Sequence, residues 1–151
     1  MINLIFFNRF AMKKLFIPPV LIIISIILMI LFYLFLPEYH LIPYPYNLAG
    51  LILSIYGFSI MGKSRDLYRK HQTTLKFAPA SHLIRDGIYR RTRNPMYLGM
   101  FLLILGLGIT FRNLFSLIAP LLFLMAAHFI FIPAEEKRLD EQFGEDYRVY
   151  K

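Results

Sequence analysis

Cysteine is absent from this chain of 151 residues. Disulfides, thiolate nucleophiles and thiolate metal sites are excluded with it, and the redox character of the compartment leaves no mark. The four histidines, His40, His71, His82 and His128, show no ligand spacing, so no metal is expected. The long apolar runs are free of ionisable residues apart from His128. That argues against a transporter or channel, whose pathway places such groups within the spans, and a lone histidine in an apolar helix is more often bonded to a neighbouring helix. Acidic residues are scarce as well, nine against seventeen lysines and arginines, which leaves a net charge of +8. Such an excess could signal nucleic acid, but the basic residues collect beside apolar runs and suit anionic headgroups instead. Membrane lipids are the expected partner and nucleic acid is not.

What the chain has in abundance is apolar surface: 58% of its residues are hydrophobic and mean hydropathy is +0.55. This composition describes a single-domain, all-α integral membrane protein over residues 1–151. About four transmembrane helices are expected, near residues 15–36, 47–62, 96–111 and 114–132. The first is retained rather than cleaved, because Pro37-Glu38-Tyr39 follows it in place of small residues. Residues 37–46 hold three prolines and three tyrosines and no lysine or arginine, which fits a tight outer loop with interfacial anchors. Gly50, Ser54 and Gly57 in the second span, and Gly99, Gly106 and Gly108 in the third, let helices approach closely in lipid. Only Arg112-Asn113 separates the last two spans, so they form an antiparallel hairpin. The tail, 133–151, carries Leu139, Phe143, Tyr147 and Tyr150 at helical spacing and reads as an amphipathic interfacial helix. Of the seventeen basic side chains, three precede the first span, nine lie between the second and third and four follow the last. That distribution puts both termini and the loop 63–95 in the cytoplasm.

That loop, with nine basic residues between Lys63 and Arg93 against two acidic ones, is the functional candidate. Its first part, Lys63 to His71, can continue the second helix, and the stretch around Thr73 to Leu83 reads as irregular. Asp86-Gly87 is a turn dipeptide. Asn94 before Pro95 marks a helix start, with the Asn side chain expected to accept an orphan backbone N–H. Arg85, Arg90, Arg91 and Arg93 crowd this junction, which would suit a carboxylate or phosphate. On the loop alone, the same arginines could simply mark the end of a span. Glu135 and Glu136 begin the tail on the same side of the membrane. They fit a helix start, where carboxylates are favourable, and an acid pair facing a basic junction can also hold a zwitterion.

Taken together, Gly87-Ile88-Tyr89, then Arg93-Asn94-Pro95-Met96-Tyr97-Leu98-Gly99, then a helical hairpin ending in Glu135-Glu136, Leu139, Phe143-Gly144, Tyr147 and Tyr150, resemble the isoprenylcysteine carboxyl methyltransferase family. The likeness covers about the last eighty residues and extends to the related phospholipid N-methyltransferases. It implies S-adenosylmethionine as cofactor and a lipophilic small molecule, lipid or prenylated acceptor as substrate. It further implies cofactor contacts from Ser81, His82, Leu83 and Ile84, from Tyr89, and from Asn94, Pro95, Met96 and Tyr97, with Glu135 taking the cofactor's amino group. The substrate side would involve Arg93 and position Phe131. Two departures stand out: Asn94 replaces the family histidine, losing a titratable ring, and Phe131 replaces an arginine associated with substrate, which weakens a prenylcysteine carboxylate as acceptor.

Methyl transfer from a sulfonium needs no enzyme nucleophile, only an acceptor held in line with the methyl carbon. An amine acceptor must lose a proton, for which Glu136 or solvent is the candidate; a carboxylate or thiolate arrives activated. A phospholipid or other lipid-amine N-methyltransferase is the alternative within this class. A non-catalytic membrane scaffold is the alternative outside it.

Overall fold

The computed structural model describes the backbone of residues 2–71 and 83–151, and the side chains from Pro18 onward apart from that of Glu38. The described residues are helical and contain no strand. The elements are α1 (Ile2–Phe35), α2 (Leu48–Lys70), α3 (Pro95–Thr110), α4 (Ile118–Ala126), α5 (Ile132–Phe143) and α6 (Glu145–Tyr150), with short 3-10 turns at Pro37–Tyr39, Gly87–Arg90 and Leu114–Leu117. A π turn, Ala127–Phe131, joins α4 to α5, so the chain stays helical from Leu114 to Phe143.

Two helical stretches, Pro18–Phe35 and Leu114–Phe143, are long and apolar enough to cross a membrane; α3 is a shorter apolar helix of 16 residues. Large apolar side chains face outward along the two long stretches and along α2, among them Ile23, Ile27, Ile52, Phe58, Leu121 and Phe129. A soluble protein does not present apolar surface on this scale, and lipid is the solvent that accepts it.

The tightest packing is between α2 and α3, which run antiparallel. A β-carbon on Gly57 would stand 2.7 Å from the Gly99 carbonyl oxygen, and one on Gly106 would collide with the Gly50 carbonyl and Ser54. Ser54 Oγ reinforces the seam by donating to the Leu103 carbonyl at 3.2 Å. Small residues here replace side-chain interdigitation with direct backbone contact, as the sequence leads one to expect. α4 returns alongside α3 as the other half of the hairpin, where a β-carbon on Gly108 would lie 2.9 Å from the Ser116 carbonyl. The core between α1, α3 and α4 consists of Ile22, Met29, Tyr97, Met100, Ile104, Phe123, Ala127 and Phe131.

Several boundaries differ from the sequence reading. α1 begins at Ile2 rather than near residue 15, and Pro18-Pro19 does not stop it. α2 does continue through Lys63 to Lys70. The helix after the hairpin passes residue 132 without a break, because nothing there terminates it and Pro133 lies in the first turn of α5, where a missing N–H is tolerated. The tail is therefore not one helix of its own: it breaks at Gly144, whose φ of 52° ends α5 and turns the chain into α6. Asn94 does not cap α3 through its side chain; its backbone (φ −128°, ψ 58°) lies outside the usual capping conformation. His128 sits on the exposed surface with Phe129 edge-on at 4.8 Å.

Candidate active site

The residues singled out in the sequence converge at the end of the bundle where α2 finishes, α3 starts and α5 begins. The turn Gly87–Arg90 brings Tyr89 inward, and Gly87 takes a φ of 57° to do so while lying against Leu67. Tyr89 is 8% exposed, its Oη 2.7 Å from Ser64 Oγ and its ring edge-on to Tyr68 at 6.0 Å. Burial raises the Tyr89 phenol well above the ordinary tyrosine range, so it stays neutral and serves as a hydrogen-bonding wall. Ile84 is buried and Leu83 half-buried just upstream. Ser81 and His82 lie outside the described residues.

From α3, Tyr97 points into the core and stacks on Phe131 at 6.1 Å with the rings 11° from parallel. Its hydroxyl lies on the side of the Glu135 carboxylate, within electrostatic reach of it. Phe131 is itself buried at 5% exposure, so it supports Tyr97 and presents no face to a substrate in solvent. Pro95 is buried and Met96 and Asn94 half-buried beside it.

The two neighbouring glutamates divide. Glu136 is held by two cations, Lys151 Nζ at 2.6 Å from Oε2 and Arg93 Nη1 at 3.4 Å from Oε1. Glu135 turns the other way, toward Tyr97 and Tyr68, and among the described residues no lysine or arginine reaches it within ion-pair distance; Arg138, one turn along, acts on it only through space. One carboxylate is saturated by cations and its neighbour is left open to one.

The tail closes over this junction, which the sequence did not foretell. The Tyr150 hydroxyl donates to the Tyr89 carbonyl at 2.7 Å, Arg85 donates to the Asp146 carbonyl, and Tyr147 is 2% exposed, its phenol pushed up to about 12 by burial. Helical spacing of Tyr147 and Tyr150 was the only available signal. Between the tail and the loop lies an open pocket of about 360 Å³ lined by Tyr89, Arg90, Arg91, Thr92, Arg93, Asn94, Tyr150 and Lys151. Its outer edge is tied down by His71 Nε2, which donates to both Asp86 oxygens at 3.1 and 3.2 Å; that hydrogen bond holds the Asp86 carboxyl below its usual range. Among the described residues no group of three or more His, Asp or Glu could hold a metal ion.

Against models of protein families, residues 46–146 match the one described as phospholipid methyltransferase. This span includes α2, the arginine-rich loop, the hairpin and both glutamates. Comparison with curated proteins and with solved structures found no match.

Proposed function

This chain belongs to the phospholipid methyltransferase family, and from that premise we propose that it transfers a methyl group from S-adenosylmethionine to a lipophilic acceptor at the cytoplasmic face of a membrane. Membership itself makes it a membrane-associated methyltransferase. The cofactor, the topology and the acceptor are the steps beyond.

The residues present fit such a cofactor. Its methionine portion carries an ammonium, a carboxylate and a sulfonium, and the site offers an open carboxylate at Glu135, arginines at the pocket and phenols between them. When bound, the cofactor supplies an electrophilic methyl group. Glu135, on the side of the Tyr97 hydroxyl, would hold the ammonium end. Leu83 and Ile84, Tyr89 and the Asn94–Tyr97 segment form the wall. Glu136 anchors Arg93 and Lys151 and so keeps the tail over the loop; for an amine acceptor, Glu136 and pocket solvent remain the candidates to receive the departing proton.

The division between Glu135 and Glu136 is the observation that carries this reading. A membrane scaffold has no use for a half-buried carboxylate set beside three tyrosines and kept clear of the cations that saturate its neighbour, whereas a cationic ligand does. The acceptor is better read as a phospholipid or other lipid amine than as a prenylcysteine carboxylate. Phe131 supplies no cation to an incoming carboxylate, and its stacking on Tyr97 leaves it a packing role. An isoprenylcysteine-type acceptor would have to place its anion among the pocket arginines, and could engage Arg93 only at the expense of the bond to Glu136.

Calorimetric titration of the detergent-purified protein with S-adenosylhomocysteine tests the proposal. Saturable binding is expected, and Glu135→Ala and Tyr97→Ala should abolish it while leaving helical content unchanged. A folded wild type that does not bind would return the chain to the scaffold reading.

A further inference from the structure

The motifs that carry the family likeness leave the end of α2 without a role, yet its last two turns direct polar side chains into the site. Ser64 is fully buried, with Oγ 2.7 Å from Tyr89 Oη. One turn on, Tyr68 stands edge-on to Tyr89 at 6.0 Å and 86°. Tyr68 also lies within electrostatic reach of Glu135 and Tyr97. Three phenol rings, from α2, the 87–90 turn and α3, thus gather about a single carboxylate that no lysine or arginine neutralises by direct contact among the described residues, with Phe131 stacked behind Tyr97.

Ring faces carry the negative part of an aromatic quadrupole, so a carboxylate among rings selects a cation. The kind of cation follows from hydration. An ammonium brings N–H donors and is met by carboxylate oxygens, whereas a sulfonium has no hydrogen to donate, is weakly hydrated, and can be held only by charge and by polarisable faces. A carboxylate for the first and ring faces for the second are both present.

We propose that Tyr68, set edge-on against the Tyr89 that Ser64 fixes, forms with Tyr97 an aromatic receptor for the sulfonium charge of the methyl donor. The inference rests on the cofactor reading above and adds a residue outside the recognised motifs. It also has a consequence for turnover. The charge exists only before transfer, because sulfur keeps the electron pair of the broken carbon–sulfur bond and becomes neutral. A receptor that reads the charge therefore favours the loaded donor and lets the spent one go.

The test compares S-adenosylmethionine with S-adenosylhomocysteine, which share the ammonium and carboxylate and differ at sulfur. Both are titrated calorimetrically into the full-length wild type, Tyr68→Leu and Tyr68→Phe. In Tyr68→Leu, affinity for the sulfonium form should fall by about 3- to 30-fold, the range a cation–aromatic contact supplies, with little change for the neutral form. Tyr68→Phe keeps the ring face and should keep the wild-type ratio of the two affinities. Equal losses for both ligands in Tyr68→Leu would reduce Tyr68 to a packing residue. Loss of the ratio in Tyr68→Phe would overturn the ring-face assignment even if the leucine variant does not fold. A wild type that binds neither ligand defeats the cofactor reading itself, and the inference falls with it; binding of both that Tyr68→Leu leaves unchanged defeats only the inference.

Discussion

The two ends of the helix bundle are closed by different kinds of bond. Where α1 ends and α2 begins, side chains bond to main chain. Asn113, fully buried, donates to the Phe32 and Leu36 carbonyls at 3.1 and 2.7 Å; Asn47 donates to the Thr110 carbonyl at 3.1 Å; Arg112 donates to the Ile42 carbonyl at 2.6 Å. At the opposite end, where the open pocket lies, charged side chains bond largely to one another: Arg93 and Lys151 to Glu136, His71 to Asp86, Arg148 to Asp140. Main-chain carbonyls have no alternative partner in an apolar setting, so the first closure is fixed. Exposed ion pairs exchange with solvent, salt and ligands, so the second can admit a guest. The proposed site lies at the exchangeable end.

The sharpest break in this comparison lies between the ends, in the seam that holds both in register. Gly106→Leu forces α2 and α3 apart, since its side chain would meet Gly50 and Ser54 backbone rather than a yielding side chain. Overpacking of this kind costs about 1–3 kcal/mol and occasionally more, and the expected result is loss of monodisperse protein on size exclusion. Asn113→Ala comes next. It leaves two buried carbonyls unanswered, which should lower stability by about 1–3 kcal/mol in a thermal melt, while S-adenosylhomocysteine affinity stays at the wild-type value. If affinity falls equally, the two ends are coupled and the contrast is wrong.

Glu136→Gln should do the reverse, weakening cofactor affinity by releasing Arg93 and Lys151, with the melting temperature shifting little because exposed ion pairs contribute roughly 0–1 kcal/mol. Raising salt should mimic part of this change in the wild type and add nothing in the variant. The smallest effect concerns pH. Hydrogen bonds from His71 and Arg148 lower the Asp86 and Asp140 carboxyls, so the folded state holds these protons less tightly than the unfolded one. The resulting stability is present above the ordinary aspartate range and is lost as pH falls through the lowered values. A slight drop in melting temperature below about pH 4 is expected, reduced in Asp86→Asn.

Much of this was legible beforehand because it depends on neighbours in sequence. Pro95 begins α3, since a proline is tolerated best in a first helical turn, and Lys63 to Lys70 prolongs α2, since nothing in that stretch breaks a helix. The tight seam was legible in Gly50, Gly57, Gly99 and Gly106, because lipid leaves small residues few other uses. Of the candidate site, the sequence offered a list of residues without their arrangement. Asn94 was expected to cap α3 and does not, and Phe131 was expected toward substrate and packs behind Tyr97.

The sequence by itself determined an apolar helical chain with its cations gathered beside the spans, because composition and periodicity act residue by residue. The roles of Glu135 and Glu136 were decided by the tertiary structure alone. Adjacent positions on a helix point about 100° apart, following from 3.6 residues per turn, and which of two such directions meets Tyr97 and which meets Lys151 depends on how α5 is rotated against α3 and on where the tail returns. The same holds for Ser64 and Tyr68. Nothing in their local sequence marks them, and they enter the site only because close packing of α2 on α3 carries the end of α2 to Tyr89.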